Sequence, residues 1–138
     1  MTIEDSAFRR GSSMALKIQS STTPDKWSEG YGCTNIVIRN CTFEDYQLGR
    51  DKRMYGVYAD VFVGPNFASE SDALPDPVGD PSLFGDILFE RCRFLGCRHD
   101  AVHVHSAHDV VLRDCEFETP GRRLVATGFA SETVEDHR

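Results

Sequence analysis

No stretch of this sequence approaches the roughly 20 consecutive apolar residues that a membrane-spanning helix needs. Positive charge is scarce: 15 Lys and Arg stand against 22 Asp and Glu, giving a net charge of -7. That balance argues against nucleic acid and anionic membranes as partners. The five cysteines include no C-x-x-C pair and no Cys/His set of zinc-finger spacing, which removes the common zinc and dithiol motifs. The opening Met-Thr-Ile-Glu-Asp has no basic stretch followed by an apolar one, so no signal peptide is expected in this chain. A 3.6-residue apolar stripe is missing as well. Apolar positions come instead in short runs of β-branched and aromatic residues, which disfavours helix throughout.

Internal repetition is what the sequence does have. Four segments share one order: an apolar residue, two polar ones, Cys or Ser, any residue, then Phe. They are Ile3-Glu4-Asp5-Ser6-Ala7-Phe8, Ile38-Arg39-Asn40-Cys41-Thr42-Phe43, Phe89-Glu90-Arg91-Cys92-Arg93-Phe94 and Leu112-Arg113-Asp114-Cys115-Glu116-Phe117. The triplets Thr34-Asn35-Ile36, Gly85-Asp86-Ile87 and His108-Asp109-Val110 precede the last three. Repeats at a few tens of residues are the signature of a solenoid. Positions 6, 41, 92 and 115 lie 35, 51 and 23 residues apart. Twenty-three residues suit one coil of a right-handed parallel β-helix, so the longer intervals read as the same coil carrying insertions. Cys41, Cys92 and Cys115 then stack as an inward column of small apolar groups, while Cys33 and Cys97 lie outside it.

Each coil holds a second strand: Ala15-Leu16-Lys17-Ile18, Gly56-Val57-Tyr58-Ala59, Ala101-Val102-His103-Val104 and Leu124-Val125-Ala126-Thr127. Period-two alternation sends Leu16/Ile18, Val57/Ala59, Val102/Val104 and Val125/Thr127 inward. The expected architecture is all-β: a single partial right-handed parallel β-helix over residues 1–138, about three to four coils long. Two long loops are inserted at about 20–32 and 64–84, with a shorter excursion over 46–53 and a frayed polar tail at 131–138. Both long loops leave from one edge of the solenoid, as walls beside a groove. The chain is expected to belong to a longer protein, secreted or at the cell surface. Its open β-helix ends are strand edges suited to self-association.

Outward residues of equivalent strands fall into columns about 4.8 Å apart. One expected column is Lys17, Tyr58, His103 and Ala126; the next is Gln19, Asp60, His105 and Gly128. A third, at the strand start, is Met14, Tyr55, Asp100 and Arg123. Lysine, tyrosine, two histidines and two aspartates thus gather on one face, with Asp60 and His105 as a possible acid/base pair. The dense run His99, Asp100, His103, His105, His108 and Asp109 also invites a metal, and His103 and His105 point the same way along a strand, but a third clear ligand is lacking, so no metal site is assigned. The acidic loop Glu70, Asp72, Asp76, Asp80 is a candidate for calcium. Its two Asp-Pro steps and lack of EF-hand spacing favour a solvated loop. Trp27 and Tyr31, in the first loop, are suited to stacking on a sugar ring.

The run Ser13-Met14-Ala15-Leu16-Lys17-Ile18-Gln19-Ser20, a loop, then Cys33 through Phe43, resembles the central coils of polygalacturonase-type glycoside hydrolases in the pectin-lyase-like superfamily. Gly56-Val57, Phe94-x-Gly96 and Ala101-Val102-His103-Val104-His105-Ser106 continue the likeness, which spans roughly residues 3 to 118. The resemblance implies a polysaccharide or glycan partner on the strand face and no resident cofactor. At the family's paired-aspartate position this chain has Ser13 and Met14, and Met54 or Tyr55 stands where its histidine is expected. His103 and His105 replace its substrate-gripping Arg and Lys. The residues left for catalysis are Asp100, His103, His105 and Asp60. Those for substrate are Lys17, Gln19, Tyr58, Trp27, Tyr31 and Arg123. Lys17, Tyr58 and His103 also supply the base that a polysaccharide lyase or epimerase needs. The alternative is a non-catalytic β-helix, either a glycan-binding module or a structural one of surface or phage-tail type.

Overall fold

The coil is set by residues that accept a left-handed backbone. Asn35, Asp86 and Asp109 have φ of 56°, 53° and 48°; Asp5, Asn40, Arg91 and Asp114 lie between 51° and 54°; Arg10, Asp45 and Gly96 between 55° and 66°. Asn, Asp and Gly tolerate this region best, and here they recur at equivalent positions of successive coils. At the second and third of these positions the backbone N–H bonds to the next coil: Asp5 to Arg39 O, Asn40 to Glu90 O, Arg91 to Arg113 O, Arg10 to Glu44 O, Asp45 to Leu95 O and Gly96 to Glu118 O, at 2.8–3.1 Å. A bend that would otherwise strand polar groups is thereby satisfied.

The structure, a computed structural model, describes residues 1–11, 14–18, 33–45, 59–64, 84–96, 100–105, 107–118, 123–127 and 135–137. Among them the elements are strands: β1 (Thr2–Glu4), β2 (Ala7–Arg9), β3 (Leu16–Ile18), β4 (Cys33–Arg39), β5 (Thr42–Glu44), β6 (Ala59–Val63), β7 (Phe84–Glu90), β8 (Arg93–Leu95), β9 (Asp100–His105), β10 (His108–Arg113), β11 (Glu116–Glu118), β12 (Leu124–Thr127) and β13 (Glu135–His137). They form three parallel sheets, ordered β1-β4-β7-β10-β13, β11-β8-β5-β2 and β12-β9-β6-β3. The chain visits the three sheets in turn four times and then begins again with β13. This is the expected right-handed parallel β-helix. Glu135–His137, in the stretch expected to be a loose tail, pairs with β10.

The Cys/Ser-x-Phe repeat forms the interior. Phe8, Phe43, Phe94 and Phe117 pair in register and stack face to face, with centroids 5.1, 4.9 and 5.0 Å apart and ring planes within 11° of parallel. Cys41, Cys92 and Cys115 are buried free thiols, as expected of an inward column. Their sulfurs lie 3.4–3.7 Å from backbone carbonyl oxygens of their own and the preceding coil. The Cys92 pKa is driven up by its bond with Cys115 and by burial, and burial also raises Cys33. A column of buried thiols at this spacing is packing material. Cys97 lies outside the described residues.

Two registers differ from expectation. In the second coil Val61, Phe62 and Val63 pair with Val102, His103 and Val104, so β6 starts at Ala59 and the sheet slips four residues past Tyr58. A slip of four keeps the alternation, so period alone does not distinguish the two registers. In the last coil Leu124 and Ala126 pair with Val102 and Val104. That is one residue earlier than expected, and it exchanges the faces: Leu124, not Val125, packs on the interior cluster.

The outer side carries charge in columns. Glu4, Arg39, Glu90 and Arg113 stand in register with alternating sign. Arg39 Nε donates to Glu90 Oε1 at 3.0 Å, while Arg91 and Arg113 each lie 3.7 Å from a Glu90 oxygen. The Arg39 hydrogen bond, ahead of the neighbouring guanidinium charges, holds the Glu90 pKa below the usual carboxylate range. Arg9 with Glu44 and Arg93 with Glu116, each at 3.1 Å, repeat the arrangement on the adjoining sheet.

Candidate functional site

The expected site lies on the sheet of β3, β6, β9 and β12. Its axial column reads Lys17, Phe62, His103, Val125. Lys17 and His103 do share a column, about 10 Å apart across two strand spacings, but Phe62 stands between them where Tyr58 was expected. The Phe62 and His103 rings are 6.0 Å apart and tilted by 40°. Extending the same register, Met14, Ala59 and Asp100 share the column at the strand start, with Ala59 in place of Tyr55. Ala59, Phe62 and Met14 form a small apolar cluster separate from the interior one.

Burial is the main departure from the sequence reading. Asp60, Asp100, His103 and His105 are exposed by only 0, 9, 6 and 2%, where an open polar face was expected. Asp60, fully buried, lies level with Ala101, a member of the interior cluster. The expected alignment of Asp60 with His105 in one column differs from the observed register. Register sets the two four residues apart on neighbouring strands, about 14 Å by strand geometry. His105 is level instead with Gly64, whose N–H bonds to Ile18 O at 3.0 Å and whose φ is 151°. A Cβ at Gly64 would collide with the backbone oxygen of His105.

Asp100, His103 and His105 all lie on β9: the two imidazoles are about 7 Å apart along the strand by its rise per residue, and Asp100 is about 10 Å before His103. His103 and His105 are groups able to take and return protons, and Asp100 adds a buried carboxylate at the start of the same strand. Lys17, exposed on β3, supplies positive charge at its rim. Arg123 is drawn elsewhere: its guanidinium lies 4.3 Å over the Phe117 ring, at the turn into β12. Gln19, Trp27, Tyr31, Tyr58 and the acidic loop Glu70, Asp72, Asp76, Asp80 lie outside the described residues.

The sequence reading meets a second cluster only in part: it places His108 and Asp109 in a metal-inviting run but does not include Asp86. Asp86, His108 and Asp109 bring one ligand atom each to within 4.8 Å of one another, on the outer side of the sheet of β4, β7 and β10. The signal was present in the triplets that precede the repeats, where Asn35, Asp86 and Asp109 recur at one position.

Comparison with known protein families finds none that matches this chain, and comparisons with curated proteins and with solved structures find no significant match.

Proposed function

We propose that this chain is part of a carbohydrate-active β-helix protein that binds or cleaves a polysaccharide at the sheet of β3, β6, β9 and β12. In this reading Asp100 and His103 are the proton-handling pair, His105 supports them and Lys17 meets an acidic sugar. The observation that carries it is the burial of Asp100, His103 and His105 on one six-residue strand. Burying ionisable groups is costly, and clusters of them are concentrated at functional sites. The likeness to the pectin-lyase-like superfamily is part of the same proposal, and the fold is compatible with it. The connections 19–32 and 65–83 both run from this sheet to the sheet of β4 and β7.

The test is a panel of neutral and acidic polysaccharides, scored for new reducing ends, for 4,5-unsaturated products and for retardation in affinity gels. His103→Gln and Asp100→Asn, shown to be folded by circular dichroism, are expected to lower turnover by about 10²–10⁴-fold. Activity that survives both substitutions would overturn the assignment of the pair. One observation favours the second reading, a non-catalytic glycan-binding or structural module: side chains exposed by less than a tenth are closed to a polymer as they stand. Retardation without any product would select that module.

A further inference from the structure

Away from that sheet, we propose that Asp86, His108 and Asp109 form a divalent transition-metal site of the zinc type. His108 pairs with Gly85, and Asp86 and Asp109 are the residues that follow them on adjacent strands. The His108 ring lies against Gly85: a Cβ there would meet its Cε1 and Nε2 at 2.4–2.5 Å. Glycine at this position is what admits the imidazole beside the carboxylates. His108 Nδ1 is 2.8 Å from Asp109 Oδ2, and the Asp86 carboxylate completes a set within 4.8 Å.

Charge points the same way. Elsewhere on the outer side carboxylates meet arginine: Glu4, Arg39, Glu90 and Arg113 alternate, and Arg9–Glu44 and Arg93–Glu116 are ion pairs. The column Asn35, Asp86, Asp109 instead puts two carboxylates on successive coils, with asparagine on the next. Two like charges about 4.8 Å apart repel, and a divalent cation between them reverses the sign of that interaction. One imidazole with two carboxylates selects zinc, cobalt or nickel over calcium, which prefers an all-oxygen shell. Zn–N and Zn–O distances of about 2.0–2.2 Å require only a small closing of the three side chains. Among the described residues no fourth protein ligand belongs to the group, which leaves the remaining coordination positions to water.

Calorimetric titration of the full chain with Zn²⁺ should give one equivalent. Co²⁺ should give visible bands without the near-ultraviolet thiolate charge-transfer band that Cys33 or Cys97 would produce. Asp86→Asn and His108→Gln are each expected to weaken binding by at least about tenfold, since even outer-shell partners of metal ligands cost that much. Asparagine tolerates the left-handed backbone at position 86, as it does at Asn35 and Asn40. Asp114→Asn, at another left-handed position, serves as the control and should bind Zn²⁺ unchanged. Absence of binding, a thiolate band, or unaltered affinity in both ligand variants would overturn the site.

Discussion

Phe94→Ala is expected to lower the unfolding free energy by about 3–5 kcal/mol, a large part of the roughly 5–15 kcal/mol of a typical domain. Phe94 is completely buried and is sandwiched between Phe43 at 4.9 Å and Phe117 at 5.0 Å. Truncation removes its transfer free energy, leaves a cavity in a rigid stack and breaks two ring contacts worth about 0.5–1.5 kcal/mol each. Phe8→Ala makes the comparison specific. Phe8 is only partly buried and has one ring neighbour, Phe43 at 5.1 Å, so its loss should be no more than about half as large. Urea midpoints with unchanged m-values measure both. Equal losses at the two positions would mean that the continuous stack is not what stabilises the coils.

Gly64→Val is expected to be the second most damaging substitution, at about 3 kcal/mol or more. Its φ of 151° disfavours any side chain, and a Cβ would strike the backbone oxygen of His105 rather than a movable side chain. Relief requires β6 to move away from β9, which loosens the strands carrying Phe62 and His103. Gly96→Asn is the informative contrast. At φ 66° asparagine is accepted, and its Cβ would meet the Asp45 carboxylate, the far end of a side chain that can turn aside. That variant should cost no more than about 1 kcal/mol. Thermal or urea unfolding of the two variants separates backbone collision from conformational preference.

The fold was legible because one interior column is written directly in the sequence. Ser6, Cys41, Cys92 and Cys115 precede Phe8, Phe43, Phe94 and Phe117 by two residues in every coil, and stacking in a solenoid turns such spacing into geometry. The register of the face that bears the candidate site was less legible. Tyr58 and Phe62 both satisfy period-two alternation, and only the greater apolarity of Val61-Phe62-Val63 distinguishes the true β6. In the last coil a single residue of connection length decided whether Leu124 or Val125 faced inward, and period-based reading has no access to that length. Burial of Asp100, His103 and His105 was unreadable for another reason: a strand pattern records which face a residue takes, not what covers the face. The Asp86–His108–Asp109 cluster depends on left-handed bends at Asp86 and Asp109. Their recurrence with Asn35 was visible in the sequence, but its meaning is conformational.

Ring-to-ring nuclear Overhauser contacts in the isotopically labelled chain test most directly whether the repeats are consecutive coils that bring the β9 cluster against β6. The expected pattern is Phe8 to Phe43, Phe43 to Phe94 and Phe94 to Phe117, in that order, together with Phe62 to His103. Contacts that skip a coil, such as Phe8 directly to Phe94, or a His103 ring touching Tyr58 and not Phe62, would contradict both the coil order and the site built on it.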